Sequence, residues 1–284
     1  RHDRDGAVTV FRHEPGNPAS LGHDNVSTVF QDSRGRIFAG THGGGLWRWE
    51  PASPRFTRIL ADEGADAGDT GGSADFIQTI REDPSGDLWI STPSQIYLLR
   101  KDATALVSFA AAFPRAEKTT GERFTTLLPD NNGIVWIGTL NAGLDRFNSR
   151  TGEMTNFNQA VNGLPDDKVV SLIKDENHFL WVATRTGIAR LNSMQSEFRV
   201  FSGQDGLQTE GFSIDAVARD AAGRLYFGGL DGFNIVDPAN LPALPRPPNP
   251  ILTSFEYLGE PVAPRAGGIL ERELTSRPRP GGLS

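Results

Sequence analysis

Two residue columns recur five times along this chain and keep step through unequal intervals. An aspartate stands at Asp32, Asp83, Asp130, Asp175 and Asp220. An aromatic follows six residues later at Phe38, Trp89, Trp136, Trp181 and Tyr226. Both columns advance by 51, 47, 45 and 45 residues. Independent features would not share such irregular spacing, so the chain is an array of one structural unit repeated at about 45 residues, a period that marks solenoids and propellers. The surplus of the first interval falls in the Gly- and Asp-rich stretch 61–74, which reads as an inserted loop.

The third copy defines the unit best. Phe124 to Leu128 is an apolar run, Pro129 to Gly133 a turn, Ile134 to Thr139 a second run, Leu144 to Asn148 a third and Glu153 to Phe157 a fourth. Four short strands in about 45 residues is the size of a propeller blade. The Asp-x-x-Gly step suits a tight hairpin in which the carboxylate accepts backbone N–H groups and glycine takes the positive-φ position. It recurs at Asp32–Gly35, Asp83–Gly86, Asp130–Gly133 and Asp220–Gly223, while the fourth copy places His178 where glycine is expected. The three Trp residues are expected in the core between blades. The expected fold is therefore all-β, a β-propeller of four-stranded blades with five repeats and one partial N-terminal blade. Ala7 to Arg12 reads as a fourth strand without its first three, and the fifth copy lacks an obvious fourth strand. Whether these two complete each other in a five-bladed ring, or the ring is incomplete, stays open. The domain reading is a propeller over 1–241, a Pro-rich connector over 242–250, and the start of a second domain over 251–284.

Composition fits this picture. With 32 glycines and 19 prolines among 284 residues, the chain is rich in turn formers, and no apolar run approaches the roughly 18 residues of a membrane-spanning helix. It is expected to be soluble as it stands. Zero cysteines exclude a disulfide framework and thiolate chemistry, and a net charge of −7 without a basic cluster argues against nucleic acid as a partner. The chain opens on Arg1 rather than Met and is read as a piece of something longer.

Runs such as Asp83-Pro-Ser-Gly-Asp-Leu-Trp-Ile-Ser-Thr and Asp130-Asn-Asn-Gly-Ile-Val-Trp-Ile-Gly-Thr resemble the two-component regulator propeller repeat. The likeness extends over about residues 7–240. Departures are Phe38 and Tyr226 for Trp, Gln95 for the glycine before the third strand, and Gly229 for Thr. The segment Ile251 to Val262 is similar to the opening of the triple-tyrosine β-sandwich that follows such propellers. The resemblance implies a non-enzymatic, periplasmic ligand-sensing region of a membrane-anchored signalling protein. A histidine kinase or diguanylate cyclase output would lie beyond this chain, with homodimerisation through the parent's C-terminal domain.

Propeller ligands bind where loops of all blades meet at one end of the ring. Here the loops between second and third strands and those between blades share that end. They supply His23, Asp24, His42, Asn141, Asp167, Arg185, Glu210 and Asp231, a polar set suited to a small molecule or carbohydrate. Trp47 joins them because most copies place no aromatic there, so it is a candidate to stack on a sugar ring. No metal or cofactor is expected. The enzymatic alternative is a metal-dependent lyase similar to streptogramin lyase, resting on His23 and His42. It lacks a His-x-His or His-x-x-x-His pair, and the chain has no nucleophile elbow or phosphate loop. The acidic stretch Asp62, Glu63, Asp66 and Asp69 departs from calcium-loop spacing and reads as a solvated insertion. A protein-interaction scaffold with no ligand is the third reading.

Overall fold

In the computed structural model the residues described are 6, 8–61, 73–121, 123–192, 197–208, 211–241, 256–257 and 260–261. Nearly all the regular structure is antiparallel strand. The first sheet orders β1 (Val26–Gln31), β2 (Ile37–Thr41), β3 (Gly45–Glu50) and β4 (Arg55–Ile59) in sequence. The second comprises β5 (Thr79–Glu82), β6 (Leu88–Ser91), β7 (Ile96–Leu99) and β8 (Val107–Ser108). The third comprises β9 (Phe124–Pro129), β10 (Ile134–Thr139), β11 (Leu144–Asn148) and β12 (Met154–Phe157). The fourth comprises β13 (Val169–Lys174), β14 (Leu180–Thr184), β15 (Ile188–Asn192) and β16 (Glu197–Phe201). The fifth sheet has three strands, β17 (Phe212–Arg219), β18 (Leu225–Gly229) and β19 (Gly232–Val236). First strands of successive sheets pack on one another and so stand innermost. The fold is a β-propeller of five blades. Residues Arg1–Ala239 form one compact unit and Asn240–Ser284 another, in which β20 (Glu256–Tyr257) and β21 (Glu260–Pro261) pair as a hairpin. The rest of 251–284, where the sequence resembles the opening of a triple-tyrosine domain, lies outside the described residues.

The turn chemistry explains the aspartate column. In all five blades one carboxylate oxygen accepts the backbone N–H groups two and four residues on, at 2.7–3.2 Å. Gly35, Gly86, Gly133 and Gly223 take φ of 75–87° at the third position after the Asp. His178 takes φ 63° at the same position. The fourth turn thus keeps the common geometry and accepts the steric cost of a left-handed side chain, about 1–2 kcal/mol.

The second carboxylate oxygen ties the two columns together. Trp89 Nε1 donates to Asp83 Oδ2 at 3.0 Å, Trp181 Nε1 to Asp175 Oδ2 at 2.9 Å, and the Tyr226 hydroxyl to Asp220 Oδ2 at 3.1 Å. Phe38 has nothing to donate, and Arg36 Nε takes that oxygen of Asp32 instead. In the third blade Lys174 Nζ, from the next blade, occupies Asp130 Oδ2 at 2.9 Å, and the buried Trp136 Nε1 has no partner among the described residues.

In the first four blades the aromatic packs on the following blade. Phe38 lies with Ile80 and Ile90, Trp89 with Leu127 and Ile137, Trp136 with Leu172 and Val182, and Trp181 stands 6.4 Å from Phe227. Two further columns reveal where neighbours end. Ile80, Leu127 and Leu172, which face the preceding blade, are at most 1% exposed, whereas Val29 at the same register is 67% exposed. Leu46, Ile96, Leu144 and Ile188, which face the following blade, are likewise at most 1% exposed, whereas Phe233 is 65% exposed. The first and fifth blades therefore do not close on each other among the described residues.

Among residues 8–25 the described pairing is a single β-bridge residue at Val8, and no named strand begins before Val26. Phe11 instead lays its ring 4.6 Å from Trp49 and 5.4 Å from Phe56, covering part of the first blade. Beside it an apolar groove of about 490 Å³ runs past Val10, Val26 and Val29. Most of the 61–74 insertion, including its acidic residues, lies outside the described residues.

Replacing Asp175 by Ala orphans a buried indole N–H, which costs about 1–3 kcal/mol on top of the lost turn. Asp130→Ala orphans no indole, because Trp136 is already unpartnered. In urea titrations Asp175→Ala is expected to lose more stability than Asp130→Ala by that margin; equal losses would contradict the link.

Candidate functional site

The loop end gathers the sequence-derived residues in adjacent pairs. His23 and His42, both exposed, bracket Asn25: its N–H donates to His23 Nδ1 at 2.9 Å, and the His42 N–H donates to its carbonyl at 2.9 Å. Asp24 accepts from the His13 N–H at 2.7 Å. The hairpin carrying exposed Asn141 meets Asp167, whose carbonyl accepts from the Gly143 N–H at 2.8 Å and whose carboxylate accepts from the Gln159 N–H at 2.7 Å. Arg185 pairs with Asp166 at 2.9 Å, and its N–H donates to the Lys168 carbonyl. Asp231 is exposed in the turn between β18 and β19, and Glu210 lies outside the described residues. Within these pairs Asp24, Asp166 and Asp167 are already committed to backbone donors.

Trp47 is placed differently from its expected stacking role. It is 8% exposed, packs with Leu21, Ala39, Trp49 and Phe56, and its Nε1 donates to the Gly44 carbonyl at 2.7 Å. The indole is part of the first blade's own core. Among the described residues no group of three or more His, Asp or Glu gathers where a metal ion would be held.

A second cluster lies at the axis, built from first strands. Thr79 and Thr126 occupy the same register on β5 and β9, opposite Ser91 and Gly138, and both side chains are fully buried. Their hydroxyls donate to one carboxylate, that of Asp215 on β17, at 2.9 and 3.1 Å. Arg81 Nη2 ion-pairs with the same carboxylate. Asp215 thus joins the fifth blade to the second and third while its own strand packs on the fourth. The reason is local. β9 and β13 each run six residues from the first strand residue to the turn Asp, with one residue bulged; β17 runs eight, and only Phe212 and Val217 flank its irregular stretch. Within it Asp215 takes φ 56°, which Asp tolerates better than most side chains.

Sequence reasoning passed over both partners. Arg81 stands in a column that is otherwise Phe30, Leu128, Ile173 and Ala218, so a charge there is not demanded by the repeat. That contrast, and the two extra residues before Asp220, were the available signals.

Residues 71–94, 120–141 and 163–186 match the two-component regulator propeller family, and the chain carries this repeat. Along 231 residues it is 23% identical to Histidine kinase P4 of Formosa agariphila, covering 80% of this chain and 16% of that protein. Among solved structures, the extracellular domain of a hybrid two component system from B. thetaiotaomicron superposes with a TM-score of 0.64 at 20% identity, covering 91% of this chain and 34% of that one. The extracellular domain of a one component system from B. thetaiotaomicron gives 0.57 at 20% identity, covering 92% of this chain and 40% of that one. The likeness to these structures establishes the fold, and the chain spans well under half the length of each of these relatives.

Trp47→Ala is expected to destabilise the propeller by about 3–5 kcal/mol, as a buried aromatic does, measured by urea denaturation. A loss under 1 kcal/mol would mean that the ring is not part of the core.

Proposed function

We propose that this chain is the ligand-sensing propeller of an extracytoplasmic, periplasmic region in a two-component regulator, and that it is itself non-enzymatic. The observation that carries the reading is the phased repeat, matched in three blades to the two-component regulator propeller and aligned over most of its length with a histidine kinase. In this reading the parent protein is membrane-anchored, dimerises through its C-terminal domain, and passes the signal to a kinase or cyclase output. The ligand is a small molecule or carbohydrate received at the loop end and the axis. At the axis polar groups converge from the second, third and fifth blades, and small-molecule sites are built from such a few convergent polar groups. The lyase reading finds less support: His23 and His42 share Asn25 as a backbone partner rather than a common ligand position.

The test is a thermal-shift panel of neutral and acidic mono- and oligosaccharides on the intact chain. A ligand at a hundred times its Kd adds about 2.7 kcal/mol to stability, so at least one compound is expected to raise the Tm by several degrees. A flat panel, or turnover of a substrate that His23→Ala or His42→Ala abolishes, would contradict the proposal.

A further inference from the structure

We infer that the axial cluster is a carboxylate-binding site held closed by the protein's own Asp215, and that a ligand bearing a carboxylate opens it by taking that residue's place. The inference rests on the small-molecule reading above and names the chemistry the site would take.

The donors define the ligand. Arg81 Nη2 and the hydroxyls of Thr79 and Thr126 converge on a single carboxylate, with Arg81 and Thr126 on one oxygen and Thr79 on the other. A guanidinium with two hydroxyl donors is the complement of a carboxylate, and it favours that group over a neutral oxygen because a charge-assisted bond is about twice as strong as a neutral one. The three donors sit on β5, whose pairing is unbroken, and β9, which has a single bulged residue, and both threonines are fully buried. The acceptor sits on β17, the first strand with the longest break in its pairing, in a left-handed conformation, beside the exposed Ile214. The more regularly paired half of the cluster is therefore the half that would bind, and the less regular half is the one that would yield.

Access and placement agree with exchange. The side chains of Asp215 and Arg81 are 17% and 24% exposed, so the pair is reached by solvent without unfolding a blade. The blade fold itself does not call for Arg81, whose counterparts are apolar. An ion pair that spans from the fifth blade to the second and third also gives ligand entry a structural consequence, since displacement removes the only described side-chain hydrogen bonds joining the fifth blade to those two. Asp215 competes from within the chain at a high effective concentration. An external acid thus binds the wild-type protein more weakly than its contacts alone would allow.

The experiment compares the wild type with Asp215→Ala, Asp215→Asn and Asp215→Ala combined with Arg81→Met, using galacturonate, succinate, galactose and sodium chloride as probes in calorimetry and thermal shift. Removing Asp215 is expected to tighten galacturonate or succinate at least tenfold over the wild type, with no gain for galactose or chloride. Adding Arg81→Met is expected to abolish the gain. Whichever acid responds separates an acidic sugar from a simple organic acid. If Asp215→Ala folds poorly, the responding acid is expected to restore its Tm and galactose is not, while Asp215→Asn supplies a folded comparison. The inference is overturned if neither Asp215 variant gains affinity for an acid, if galactose gains equally, or if the gain survives loss of Arg81. Should a neutral sugar stabilise the wild type while the Asp215 variants gain nothing for acids, this inference falls and the small-molecule reading stands. Should nothing bind any variant, both fall.

Discussion

Every blade of this propeller is held by apolar side chains that only a neighbouring blade can cover. A four-stranded sheet of this length has two apolar faces and no interior of its own, so its stability is borrowed from both sides. The two flanking columns make the dependence visible. The same register position is dry in the inner blades and two-thirds exposed at Val29 or Phe233, where a neighbour is missing. Full burial of one such side chain contributes about 1.5–3 kcal/mol. A few positions per interface therefore outweigh the net stability of most domains, and the Trp, Leu and Ile columns decide where the blades sit before any loop is considered. At the first blade, Phe11 and its segment cover part of the open face without forming a strand.

The Asp–aromatic step is the local device that delivers those columns in register. One carboxylate both closes the hairpin and receives the side chain that crosses to the next blade, which explains why the two sequence columns stay six residues apart while the intervals between copies vary. The exceptions follow the same accounting of donors and acceptors. Phe38 leaves an oxygen that Arg36 fills, and Lys174 takes the oxygen that would otherwise serve Trp136. Blade geometry survives both changes because the backbone turn bonds remain.

The parts readable from sequence are those governed by short-range rules. The third blade's strands at Phe124, Ile134 and Leu144 begin where alternation and turn residues place them, and the His178 turn shows the strain that its residue type implies. The indole–carboxylate bond was not read, although Asp and Trp were both singled out, because hydrogen bonds from side chain to side chain leave no period of their own. Trp47 was assigned to the rim for lack of counterparts, yet neighbours at Leu21 and Phe56 from outside its strand bury it. The axial cluster was missed for a related reason: Thr79, Arg81, Thr126 and Asp215 are up to 136 residues apart and meet only once the blades are arranged around the axis. His23, His42, Asn141 and Asp167 stand at the loop end in the pairs described, and binding at that rim is a matter for the ligand panel.

The central claim is that neighbour-blade burial, not strand formation within a blade, sets stability. The most direct measurement is the urea-unfolding free energy of Leu127→Ala beside Val29→Ala, two first-strand positions at one register. The account predicts a loss of about 2–5 kcal/mol for Leu127→Ala and within about 0.5 kcal/mol of zero for Val29→Ala. Similar losses at the two positions would contradict it.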